Sequence, residues 1–126
     1  METHIEFTRS RIVPSETPLP HREVGAQVDF LGIVRELENG AAIPGLHYDA
    51  YETMARLQLG KILTELATAH PCVAVWFVHR LGFVPVGEAS LFVRALARHR
   101  REALEMTTLL VERLKAEVPI WKLPPA

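Results

Sequence analysis

VAVWFVH, residues Val73–His79, is the stretch on which the fold turns. It shows no alternation: apolar and aromatic residues follow one another until a histidine closes the run. Seven such residues are too few for a helix of ordinary length and read as a strand buried on both faces. Just upstream, between Glu52 and His70, the apolar residues Ala55, Leu59, Ile62, Leu63 and Leu66 recur at helical spacing, and Pro71 stops the pattern. One stripe of that helix therefore lies on a sheet. Downstream, LGFVPVGEAS (Leu81–Ser90) reads as a turn and an edge segment, and Ala89 to Leu96 as another strand. A second helix is expected from Arg98 to Glu117, with Ala103, Met106, Leu110 and Leu114 on its inner face. Pro119 ends it, and Ile120, Trp121 and Lys122 leave in extended form.

Toward the N-terminus, VGAQVDFLGIV (Val24–Val34) is rich in β-branched and aromatic residues and reads as a strand, with Gly25 and Gly32 as points of bulge or close approach. It ends in Arg35. The Asn39-Gly40 pair signals a turn, and Leu46, Tyr48 and Ala50 alternate against His47, Asp49 and Tyr51, so a hairpin is expected here. Residues 1–23 read as an N-terminal arm: Ile5 to Phe7 alternate as a short strand, but Pro14, Pro18 and Pro20 then interrupt pairing. Residues 123–126 read as a short tail. The order strand, strand, helix, strand, strand, helix, short strand indicates an α+β sandwich, two helices packed on a mainly antiparallel sheet.

The 126 residues fit one domain, 1–126, with a modest core; 48% hydrophobic and 23% charged residues describe an ordinary folded protein. Fourteen Lys plus Arg stand against fifteen Asp plus Glu, a formal charge of −1. No global field draws nucleic acid or an anionic membrane, so any anion site must be local. Cys72 is the sole cysteine and has no partner for an internal disulfide, and no apolar stretch is long enough to span a membrane. The opening METHIEFTRSRIVPSE is too polar for a signal peptide, which points to a reducing cytoplasm.

Nucleophile-elbow, phosphate-loop and C-x-x-C signatures are absent, and the histidines are not spaced as a metal pair. No metal or cofactor is expected. Cations do stand at element ends: Arg35 after a strand, His99 and Arg100 at a helix start, Lys115 near that helix's end, and Lys122 after Trp121. A helix start presents unpaired N–H groups and partial positive charge, and a guanidinium adds bidentate recognition of oxygens, so His99-Arg100 suits a phosphate. Arg98, Arg100 and Arg101 also fit a merely solvated helix start, while His99, four residues before Ala103, shares the inward face. Lys115 could simply complement a helix C-terminus and Lys122 lie on the surface; a lysine near a buried aromatic and other cations can also act as acid, base or nucleophile. Cys72 reads as a small packed hydrophobe, and His79 and Arg80 as residues that orient a turn.

Read in order, FLGIVRE (Phe30–Glu36), LHYDAY (Leu46–Tyr51), VHRLGFVPVGEAS (Val78–Ser90), HRREA (His99–Ala103) and LKAEVPIWK (Leu114–Lys122) resemble the large subunit of molybdopterin synthase. The pattern K-x-x-x-P-x-W-K, with its lysines seven positions apart, is the most specific piece. The resemblance implies a hammerhead-like α/β portion with a second β-rich portion, arranged as a central homodimer. It also implies a small ubiquitin-like sulfur-carrier partner whose C-terminal Gly-Gly thiocarboxylate delivers sulfur to cyclic pyranopterin monophosphate, forming the dithiolene of molybdopterin. Such a sulfurtransferase needs no cysteine of its own. By the same resemblance Lys115 and Lys122 serve catalysis, with Lys115 nearest the terminal carbonyl of the small subunit. Arg35, His99 and Arg100 bind the pterin phosphate, and Phe30 and Trp121 shape the pocket. The chain departs from the family where Ala97 and Arg98 replace small polar residues, and where no acidic residue stands two positions after Lys122. A non-catalytic paralogue, serving as a dimeric binding or scaffold subunit, is the alternative these departures raise.

Overall fold

A computed structural model describes residues 1–16 and 21–123 of the chain. Pro18, Pro20 and the tail beyond Leu123 lie outside the described residues. Two helices, α1 (Glu52–Ala69) and α2 (Arg100–Glu117), cover one face of a four-stranded sheet. That sheet has the order β1 (Glu2–Thr8), β6 (Ala74–Arg80), β8 (Ala89–Ala97), β2 (Ala26–Ile33). All its pairings are antiparallel except β1 with β6. The α+β arrangement of two helices on mainly antiparallel sheets is thus as read from the sequence.

The helix-facing core forms where the two periodicities meet. Val75 and Phe77 on β6 and Val93 and Ala95 on β8 point one way every second residue, while Leu59, Ile62 and Leu63 of α1 and Ala103, Met106 and Leu110 of α2 return at helical spacing; all are essentially without solvent contact. Each large side chain so buried stabilises the fold by roughly 1.5–3 kcal/mol before conformational entropy is counted. The expected burial of the 73–79 run on both faces is corrected: its alternate residues Trp76 and Val78 remain partly accessible, because no helix covers that side. Residues 9–16 cross it instead, held by the Arg94 Nη1 donation to Ser15 O at 2.8 Å. The short strand expected at Ile5 to Phe7 is longer than read. Glu2–Thr8 is a full strand, in parallel register with β6 from Glu2 opposite Ala74 to Thr8 opposite Arg80.

The hairpin at Asn39-Gly40 is shorter than expected. It joins β3 (Leu37–Glu38) to β4 (Ala41–Ala42), and both turn residues have positive φ, 52° and 80°, as a type I′ turn requires. The alternating segment that follows, β5 (Gly45–Ala50), leaves the hairpin. It becomes the middle strand of a separate three-stranded sheet between β7 (Gly82–Pro85) and β9 (Ile120–Leu123). Two glycines do what the sequence suggested. A Cβ on Gly25 would stand 2.3 Å from the carbonyl oxygen of Arg98, and the register of β2 on β8 shifts between Gly32 and Ile33.

Candidate functional site

The two sheets meet at the C-terminal end of α2, and a cleft of about 500 Å³ opens between them. Three of the five sequence-predicted site residues line it: Arg35, Lys115 and Lys122. Each is delivered by a different element. The bulge in β2 turns its end, and buried Val34 is fixed by backbone bonds to Glu88 O (3.0 Å) and from Gly87 N (2.9 Å), so Arg35 emerges from a held strand end. Lys115 stands in the last turn of α2, which closes with Val118 N donating to Leu114 O. Pro119 then releases the chain into β9, whose pairing with β5 sets Lys122 opposite Tyr48 and Trp121 opposite Asp49. Phe30 and Trp121 line the cleft, as the resemblance implies, and Trp121 packs on Tyr51 at 4.9 Å between ring centroids.

The charge around this cleft is one-sided. None of its described lining residues is a carboxylate. Lys122 Nζ lies 3.4 Å from Glu38 Oε1, an exposed pair that is weak at best. Arg35 and Lys115 have no ion-pair partner among the described residues. Exposed cations converging on a concave, aromatic-walled surface suit an anionic ligand that also carries a flat apolar ring.

His99 and Arg100 are not brought to this cleft. They sit at the opposite end of α2, and fifteen residues of helix at 1.5 Å each place Arg100 about 22 Å along the axis from Lys115. The expectation that His99 shares the inward face is corrected. It is the N-cap, with φ −129° and ψ 150°, so helical phase does not apply to it; its side chain is exposed and makes no capping bond. The helix itself begins at Arg100, two residues later than expected. Beside His99, Cys72 is half-buried, and its Sγ contacts Glu102 O at 3.7 Å. Burial, helped by the Glu102 charge, pushes its thiol up to about 11, and the side chain packs against the core, as its position suggested.

The sequence reads His79 as a residue that orients a turn, and the structure gives it a different setting. It stands one residue before the end of β6, on the face of Val75 and Phe77, only 4% exposed, and lines the same cleft as the three cations. Its Nδ1 stands 2.8 Å from Arg80 O, Tyr48 meets its ring edge-on at 5.1 Å, and burial holds its pKa below the ordinary value. The period of two along VAVWFVH already pointed this histidine inward. Arg80 does orient a turn, by donating to Glu88 Oε1 at 2.8 Å.

A larger cleft, about 820 Å³, lies between residues 9–16 and the other face of the four-stranded sheet. Its buried cation is already engaged: Arg94 donates from Nε and Nη2 to both oxygens of Asp29 at 2.7 and 2.9 Å, and it stacks over Phe92. Among the described residues no group of His, Cys, Asp and Glu could hold a metal ion, and no helix is long and apolar enough to cross a membrane.

Comparison with known proteins follows the same lines. The chain is 45% identical over 98 residues to a molybdopterin synthase catalytic subunit of Oryza sativa subsp. indica; the match covers 78% of this chain and spans about half, 51%, of that relative. The crystal structure of molybdopterin synthase from Staphylococcus aureus superposes with a TM-score of 0.84 at 30% identity, over 93% of this chain and 87% of that one. A protein–protein complex of subunits 1 and 2 of the molybdopterin-converting factor from Helicobacter pylori gives a TM-score of 0.72 at 27% identity, over 94% of this chain and 82% of that one. The family model described as MoaE protein matches residues 5–117, which include Arg35, His79, His99, Arg100 and Lys115 and stop short of Lys122. By sequence and by fold, the chain belongs to the MoaE protein family.

Proposed function

We propose that the chain is the catalytic subunit of a molybdopterin synthase, a sulfurtransferase that converts cyclic pyranopterin monophosphate to molybdopterin. Sulfur comes from the C-terminal thiocarboxylate of a small ubiquitin-like subunit. The observation that carries this reading is the convergence of Arg35, Lys115 and Lys122, from three elements, on one cleft lined by no described carboxylate. A thiocarboxylate and a phosphate are both anions, and the pterin is the flat ring that Phe30 and Trp121 suit. Lys115 and Lys122 act on the tail of the small subunit, where an ammonium group stabilises negative charge developing on the carbonyl oxygen. Arg35 holds the phosphate. The half-buried Cys72, whose thiol burial keeps protonated, fits a reaction whose sulfur arrives on a partner.

His99 and Arg100 join this site only from a second copy of the chain, since within one chain α2 holds them about 22 Å away. A homodimer reconciles the five residues, and with one small subunit on each protomer the assembly is a heterotetramer. The reaction and the dimer are tested together by mixing Lys115→Ala and Arg100→Ala proteins, each inactive alone, with thiocarboxylated small subunit and substrate. In the mixed dimer one site is intact, so molybdopterin forms. No product from the mixture, when the unaltered protein turns over, would place both residues within one chain's site, while an Arg100→Ala protein that is active alone would remove Arg100 from the site.

A further inference from the structure

Transferring sulfur from a thiocarboxylate to carbon first makes an acyl–sulfur linkage, R–C(=O)–S–C. The sulfur is released to the substrate only when water supplies an oxygen: R–C(=O)–S–C + H₂O gives R–CO₂⁻, HS–C and one proton. That proton needs an acceptor, and three of the ionisable groups around the cleft are the cations Arg35, Lys115 and Lys122. Tyr48 and Ser90 offer hydroxyls, which have little affinity for a proton near neutral pH.

His79 is different. A carbonyl oxygen can only accept, so the 2.8 Å contact with Arg80 O requires the proton on Nδ1 and leaves the lone pair on Nε2. Among the described residues nothing donates a hydrogen bond to Nε2. The ring is nine-tenths buried, steadied by Tyr48 on β5 and Phe77 on its own strand, and it lines the cleft. We propose that His79 is a catalytic residue of the sulfur-transfer site, whose Nε2 takes the proton from the water that hydrolyses the acyl–sulfur linkage. This rests on the sulfur-transfer reading above. The water oxygen bonds the carbonyl carbon, the C–S bond breaks with its electron pair on sulfur, and the imidazolium then passes its proton to solvent. Burial keeps the ring neutral and so ready to accept. The charged groups sharing the cleft, Arg35 from the end of β2, Lys115 from α2 and Lys122 from β9, act in the same sense, and Glu38 on β3 lies beside Lys122.

The test is His79→Asn, whose side-chain amide can keep the donation to Arg80 O while removing the Nε2 lone pair. With thiocarboxylated small subunit and cyclic pyranopterin monophosphate, kcat is expected to fall about 10²-fold or more, with small-subunit binding unchanged. An adduct joining the small subunit's tail to the pterin through sulfur should accumulate, visible by intact mass. A kcat within about threefold of the unaltered protein and no adduct would overturn the role. If the variant does not fold, the pH profile of the unaltered protein decides. Its kcat should fall on the acid side with a midpoint below the ordinary histidine value of 6.5, and a rate that stays flat as the pH falls well below that value overturns the proposal. Absence of any product from the unaltered protein is a separate outcome: it sinks the sulfur-transfer reading and this role with it.

Discussion

The two clefts hold their cations in opposite ways. Beneath residues 9–16, Arg94 is almost buried and locked to both oxygens of Asp29, with a further bond to Ser15 O. At the end of α2, Lys115 and Arg35 are exposed, unpaired among the described residues, and carried on held backbone. The larger cleft is therefore the less promising one. A guanidinium whose donors are already used can fix a segment of chain but has little left for a ligand, whereas an uncommitted cation is poised to meet one. Volume alone would have chosen the other side of the sheet.

That contrast predicts a separation of effects. Lys115→Ala should lower sulfur transfer by about 10²–10³-fold or more, because its ammonium group stabilises the charge that develops on the carbonyl oxygen. Its thermal midpoint should stay put, since the side chain is exposed at a helix end; a rate equal to that of the unaltered protein would return Lys115 to the role of a helix-end cation. Arg35→Ala should weaken substrate binding by a charge-assisted hydrogen bond's worth, about 1.5–3 kcal/mol, seen as a raised KM with the fold intact. An unchanged apparent affinity removes it from the phosphate site.

On the other side of the sheet the signs reverse. Asp29→Asn should cost about 1.5–3 kcal/mol of stability in denaturant unfolding, by leaving Arg94 without its counter-charge, and should not change the turnover of folded protein. Its pH dependence has a definite direction. The Arg94 hydrogen bond holds the Asp29 carboxyl below its ordinary value of 3.8, so the stabilisation is complete above that value and is lost as the pH falls through the lower, folded value. Asn should flatten that part of the acid limb; an unchanged limb would mean other carboxylates set it. The smallest effect belongs to the exposed Lys122–Glu38 pair. Glu38→Gln should change stability by less than about 1 kcal/mol, and a larger loss would show Lys122 to be held in place by its neighbour.

Much of the fold was legible because the strongest signals are periodic. The apolar spacing that marked both helices survives in the core with little change, while the uninterrupted run at Val73–His79 forms its strand but keeps only one face in the helix-covered core. Strand partners were less legible, since they depend on which edges meet in space: nothing in IPGLHYDAY says that β5 will abandon its hairpin for β7 and β9. Glu2–Thr8 was under-read because its flanking prolines suggest an arm, while its pairing with β6 is a contact across more than sixty positions of sequence. In the site, Arg35, Lys115 and Lys122 were found by family pattern and are brought together by the fold. His99 and Arg100 were found by the same pattern, and the expected helix already set them at its start and Lys115 near its end, about 22 Å along the axis. His79 was passed over because a histidine closing a strand looks like a turn residue until its burial and its Nδ1 partner are seen.

The most direct measurement is formation of molybdopterin by the purified chain supplied with thiocarboxylated small subunit and cyclic pyranopterin monophosphate, run beside Lys115→Ala. The cleft at the end of α2 being the transfer site predicts product from the unaltered chain and almost none from the variant, with both binding the small subunit alike. A stable complex that makes no product would contradict it and favour a scaffold subunit; equal rates would move the chemistry away from Lys115.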